Sequence, residues 1–207
     1  MAVSSPQTAP GQASSSDATT EFKTLITWRG VDTDRLEQVR LHVAGARIKA
    51  YGRIIAAATA DQEAFSASYE LVTNDAGVTK RLSIHLLRAS GETQLGISRD
   101  EEDQWLVQSG GETTRSDFNG AEDVDLALSP MFNALPIRRR GLTAAGAGTV
   151  EVPVVYVYLP STQVEPATLQ YTAGSAGVGV VSPVAQSTLS VDENGFVVDY
   201  PGLATRV

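Results

Sequence analysis

From Phe22 onward, apolar and polar side chains alternate with a period of two. Phe22, Thr24, Ile26 and Trp28 form one alternate series, and Phe65, Ala67, Tyr69 and Leu71 form another. Val78, Leu82, Ile84 and Leu86 share a face opposite Thr79, Arg81, Ser83 and His85. Val150, Val152, Val154, Tyr156 and Tyr158 repeat the pattern, as do Phe196, Val198 and Tyr200. Such alternation predicts half-buried antiparallel strands, because successive strand side chains point to opposite faces. Turn-forming residues punctuate the runs: Asn74-Asp75-Ala76-Gly77, Ser90-Gly91, Ser109-Gly110-Gly111, Asn119-Gly120 and Asp192-Glu193-Asn194-Gly195. Asn and Gly tolerate the left-handed backbone of tight turns. Turns at roughly ten- to twelve-residue spacing predict an all-β sandwich, barrel or roll rather than alternating strands and helices.

Helical signals are few. Leu36 to Val43 reads equally well as helix or strand, and Ser129 to Ala134 predicts a single turn. Gly174-Ser175-Ala176-Gly177-Val178-Gly179 reads as a loop, since no phosphate-binding helix follows it. Residues 1–20, MAVSSPQTAPGQASSSDATT, contain little to bury and are expected to form a disordered tail ahead of one β domain spanning residues 21–207.

Composition narrows the chemistry. A domain of this size buries about 70% of its unfolded surface and needs no covalent staples. The chain has no cysteine, which excludes disulfides, thiolate metal sites and a cysteine nucleophile. Its formal charge of −8 argues against nucleic acid as a partner and equally against simple adsorption to an anionic membrane. No stretch reaches the ~20 apolar residues of a membrane-spanning helix. The first twenty residues lack the charged and apolar regions of a signal peptide, so the expected compartment is the cytoplasm.

Several groups could carry chemistry. His42 and His85 fall on the polar side of their strands, outside any metal-binding spacing, and read as solvated or cavity-facing imidazoles. Asp123 and Asp125 would project to one side of an extended segment with Cα atoms about 7 Å apart. That gap suits the acid and base of an inverting glycosidase, but also ion pairing with nearby arginines. In Pro130-Met131-Phe132-Asn133-Ala134-Leu135-Pro136-Ile137-Arg138-Arg139-Arg140, Pro136 is expected to hold Leu135 extended. An extended continuation would put Arg138 and Arg140 on one face and Arg139 on the other. These guanidiniums could grip an anionic head group or pair with Glu122, Asp123 or Asp125. Trp28 and Tyr69 suit either the wall of a ligand cavity or the core. No P-loop, nucleophile elbow or HExxH motif is present.

Taken together, Asp123-Val124-Asp125-Leu126, Ser129-Pro130, Asn133 and Leu135-Pro136-Ile137-Arg138-Arg139 resemble the signature of the bacterial Putative glycolipid-binding family, formerly a domain of unknown function. The likeness continues through Val154-Val155-Tyr156-Val157, Gln170-Tyr171, Val191-Asp192, Gly195 to Leu203, and Arg206. Trp28 and Leu36-Glu37 also fall where that family has a Trp and a Leu-Glu pair. The resemblance implies a two-layered antiparallel spiral β-roll, half-barrel-like, with few or no helices. It also implies a non-enzymatic binding protein without cofactor or metal, holding a lipid or glycolipid in a groove. Candidate ligand-binding residues on this reading are Trp28, Glu37, Tyr69, Asp123 and Asp125, together with Asn133, Arg138, Arg139 and Tyr171. The alternatives are an enzyme using the paired carboxylates and a cavity-free interaction domain. This chain departs from the family pattern at Met131-Phe132, at Arg140 and in the Gly/Ala/Val-rich stretch after Tyr171.

Overall fold

Alternation leaves each strand with one apolar face, and the chain buries those faces by pairing strand after strand into a coiled sheet. A computed structural model describes residues 21–144 and 146–207; the tail expected over residues 1–20 lies outside the described residues. The first half is a meander of β1 (Glu21–Gly30), β2 (Arg35–Ala44), β3 (Arg47–Ala56), β4 (Phe65–Thr73), β5 (Thr79–Arg88), β6 (Gly91–Arg99), β7 (Trp105–Ser109) and β8 (Glu112–Ser116). The second half comprises β9 (Asp123–Leu126), β10 (Thr149–Val157), β11 (Val164–Gly174), β12 (Gly177–Val181), β13 (Gln186–Val191), β14 (Val197–Tyr200) and β15 (Ala204–Arg206). Between β9 and β10 a 3-10 turn, Pro130–Asn133, runs into a short helix α1, Ala134–Arg139.

All fifteen strands belong to one open sheet, ordered β8 to β1, then β15 back to β9. The halves join where β15 pairs with β1, setting Trp28 opposite Arg206 and Gly30 opposite Ala204. The all-β expectation holds, with one correction to its antiparallel character: β9 and β10 are parallel, pairing Asp125 with Tyr156. The long connection through α1 brings the chain back in the same direction, as parallel pairing requires.

Because the sheet coils, its apolar surface meets itself. The larger core packs Trp28, Leu41, Ile54, Leu71 and Trp105 of the meander against Val124 and Leu126 of β9 and Val155 and Val157 of β10. Met131, Phe132, Ala134 and Leu135 fill the space between them. The second core gathers Val152, Val154, Tyr156, Leu169, Tyr171 and Leu189 around Ile137 and Leu142. Residues Val154 to Val157 are therefore buried consecutively, since β10 serves one core with each face. The result is the coiled, half-barrel-like architecture that the resemblance implied, with the turn and α1 as a plug between its layers.

Local expectations fail where tertiary contacts outweigh alternation. Leu135 and Pro136 are helical rather than extended, and Pro136 sits in the first turn of α1, where its missing N–H costs nothing. Leu36 to Val43 lies wholly in strand β2. Thr79 is buried rather than solvent-facing, because the β4–β5 register shifts at Val72 and Thr73. A second irregularity at Ser190 and Val191 turns Val198 outward and Val197 inward. The glycine-rich stretch is not a loop but a hairpin, pairing Gly174 with Gly177.

Candidate functional site

The sequence-predicted residues converge on the plug and tie it to the walls. Arg139 donates from Nη2 to Asp123 Oδ2 at 2.6 Å, and its Nη1 lies 3.0 Å from Glu122. Arg140 reaches the same Glu122 at 3.1 Å. Asp123 is fully buried. Burial pushes its carboxyl above the usual range, opposed chiefly by Arg139. Arg138, about 100° round the helix from Arg139, donates to the carbonyls of Gly45 (2.8 Å) and Asn194, and its guanidinium stands 5.3 Å from the Phe196 ring centre. Gly195 makes this possible: at φ +80 a Cβ would fall 2.9 Å from Arg138 Cγ.

Glu37 forms a second tie. Its Oε1 accepts hydrogen bonds from Tyr69 Oη at 2.6 Å and from Ser129 Oγ of the plug, while Oε2 is buried without a partner. Tyr69 reaches Glu37 by lying across Gly52 of β3, where a Cβ would meet its ring at 2.1 Å. Burial pushes the Glu37 carboxyl up to about 7. A third tie is Tyr171 Oη donating to Asn133 Oδ1 at 3.0 Å. Asp125, on the same side of β9 as Asp123, is also raised to about 7 by burial, and burial, with the Asp125 charge adding to it, raises the phenols of Tyr156, Tyr171 and Tyr200.

Trp28 belongs to a staple at the β1–β15 seam. Its Nε1 donates to Val197 O at 2.9 Å, and Arg206 lies 5.8 Å from its ring while donating to the same carbonyl and to Asp192 at 2.8 Å. The two histidines sit on the polar face, with Nε2 of His42 2.9 Å from Glu21 and Nε2 of His85 2.8 Å from Glu92. Among the described residues, no three His, Asp or Glu side chains gather as a metal site. Asp123 is engaged by Arg139, and both aspartates are buried in β9, so the arrangement does not present an acid and a base to a substrate.

The sheet's other face carries what sequence reasoning missed. Leu25 (60% exposed), Ile55 (54%), Tyr51 (47%), Leu36 (45%) and Leu87 (45%) all point away from the core of β1–β5. Register places them in two ladders: Leu25–Arg40–Tyr51 and Leu36–Ile55–Ser66–Leu87. One depression of about 630 Å³ is lined by Leu25, Leu36, Tyr51 and Ile55. A second of about 800 Å³ continues from Leu36 and Ile55 to Ala57 and Ala64. Towards β8 the face becomes a polar trough of about 1090 Å³, lined by Ser83, His85, Gln94 and Gln108. The signal was present in the sequence, since Leu25, Leu36 and Ile55 occupy the polar phase of their strands, but a lone apolar residue at such a position is ordinary. Only pairing shows that they adjoin.

The architecture is thus a coiled β-roll whose interior is occupied by its own plug. The sequence matches the family model described as Putative glycolipid-binding over residues 25–206, and the chain belongs to that family. It is similar to the crystal structure of a DUF1089 family protein from Pseudomonas aeruginosa, with a TM-score of 0.65 and 24% identity over 99% of this chain and 100% of that one. No curated protein matches it. No helix among the described residues is long and apolar enough to cross a membrane.

Proposed function

We propose that the protein is a non-enzymatic binding protein for a lipid or glycolipid, which it takes up on the open face of β1–β5 rather than inside the roll. The observation that carries this reading is the pair of exposed apolar ladders bordering connected depressions, opposite an interior already filled by Phe132, Leu135 and the other plug side chains. Exposed apolar side chains that adjoin one another mark interaction surfaces. The polar trough beside them offers hydroxyls, amides and an imidazole–carboxylate pair, groups that suit a sugar. In this reading Trp28, Glu37, Tyr69, Asn133, Tyr171 and the Asp123–Arg139 pair form the frame that holds the face in shape, and the family's glycolipid-binding description supplies the ligand class.

The test is native mass spectrometry of the purified protein after incubation with a mixed bacterial lipid extract. Wild type is expected to retain lipid, and a Leu36→Ser/Ile55→Ser variant to lose it. Retention by the double variant, or no lipid on either protein, would sink the proposal.

A further inference from the structure

The open face is charged against the protein as a whole. Outward positions on β1, β2 and β3 read Glu-Lys-Leu-Thr-Arg, Leu-Gln-Arg-His-Ala and Arg-Lys-Tyr-Arg-Ile, so Glu21 is the only acid among them. Glu21 is itself held by His42, and Arg47 by Asp75. Lys23, Arg40, Lys49 and Arg53 have no carboxylate partner among the described residues; Arg53 donates only to the Ser68 hydroxyl, at 3.1 Å. Several cations elsewhere are paired, as Arg115 is with Asp100 and Glu102, and Arg139 with Glu122 and Asp123.

Resting on the lipid-binding reading, we infer that this face docks on an anionic bilayer surface. The formal charge of −8 opposes adsorption of the chain as a whole, but this face differs locally from that average. At physiological salt a surface responds to charges within about 8 Å. The outward charges on β1–β3 themselves are cationic apart from Glu21, Glu70 opposite Tyr51 is paired with Arg81, and Asp32 and Asp34 lie at the Leu36–Ile55 end of the face. The neighbours decide which polyanion fits. Arg40 stands between Leu25 and Tyr51 in one ladder, and Arg53 adjoins Ile55 along β3. Cations flanked by aliphatic side chains and a tyrosine match the boundary between lipid head groups and acyl chains, where phosphate meets hydrocarbon. A nucleic acid would satisfy the cations and leave Leu25, Leu36 and Ile55 facing a polar backbone. A cationic face with few apolar groups binds reversibly, so peripheral docking is expected rather than insertion.

The experiment is flotation of the full chain with phosphatidylcholine vesicles, with or without phosphatidylglycerol. Binding is expected only with phosphatidylglycerol and should fade as salt is raised. Arg40→Gln/Lys49→Gln should weaken it about fivefold per cation removed, while Arg140→Gln, the same change at a residue paired with Glu122, leaves it intact. Equal binding to both vesicle types overturns the inference and leaves the lipid reading standing. Unchanged binding by the double variant overturns the docking face. Absence of binding to any vesicle, with no lipid retained in mass spectrometry, overturns both. Displacement from anionic vesicles by single-stranded RNA, with direct binding of that RNA, would reassign the face to nucleic acid.

Discussion

The two faces of β1–β5 are made by alternate residues of the same strands, and they carry opposite anomalies. On the inner face of β2, Glu37 is a carboxylate among Val39, Leu41 and Val43, matched to Tyr69 and Ser129. On its outer face Leu36 is an aliphatic side chain, 45% exposed, next to Ile55. The polar groups placed inside tie the plug to the walls, although Glu37 Oε2 and Asp123 Oδ1 are left without a partner. Apolar groups placed outside have no partner within the chain. Function in this molecule is therefore sought where folding left surface unmatched, not where the most unusual residues sit.

That contrast can be broken most forcefully from the inside. Arg139→Met leaves the buried Asp123 carboxylate uncompensated and should cost about 3–5 kcal/mol of stability by urea denaturation. A loss well under 1 kcal/mol would show that the pair is not part of the frame. A pH series sharpens the same point. Glu37 and Asp125 are both raised to about 7 from ordinary values near 4, so between pH 4 and 7 the folded state holds protons that the unfolded chain has released. Stability should therefore fall as pH rises through that window, by at most about 1.4 kcal/mol per pH unit for each group, and level off above it. Glu37→Gln should flatten part of the slope in thermal melts recorded from pH 4.5 to 8; an unchanged profile would remove Glu37 as a source.

Gly52→Ala comes next. Its Cβ would fall 2.1 Å from the Tyr69 ring, forcing the ring off Glu37 at a cost of about 1–3 kcal/mol. A neutral outcome would mean that Tyr69 can move without loss. The smallest effect on stability belongs to the outer face: Leu36→Ser/Ile55→Ser should stay within about 0.5 kcal/mol per site. The same variant is expected to abolish lipid retention. A large fall in its melting temperature would mean that these side chains serve the fold after all.

Much of this was legible in the chain. Period-two runs marked β1, β4, β5 and β10, the Asn- and Gly-containing turns marked several hairpins, and Ser129 to Ala134 showed its single turn. Of the motif residues from Asp123 to Arg139, Asp123 and Arg139 bond to each other, while Asn133 and Arg138 reach Tyr171 and the carbonyls of Gly45 and Asn194. The extended continuation expected after Pro136 would put Arg138 and Arg140 on one face and Arg139 on the other; in helix α1 Arg138 goes instead to those carbonyls, and Arg139 and Arg140 share Glu122. Helix α1 forms because Leu135 and Ile137 each find a core on opposite sides of it, a long-range gain that exceeds the local preference around Pro136.

By itself, then, the sequence determined an all-β chain with its strands, most of its turns and its family, since alternation and turn chemistry act between near neighbours. Tertiary structure decided the parallel β9–β10 pairing, the filling of the interior, and the assembly of Leu25, Leu36, Tyr51 and Ile55 into one face. Those outcomes depend on which strands lie side by side. Strand pairing is a competition among long-range contacts that no local pattern encodes, and its register alone turns scattered exposed side chains into a surface.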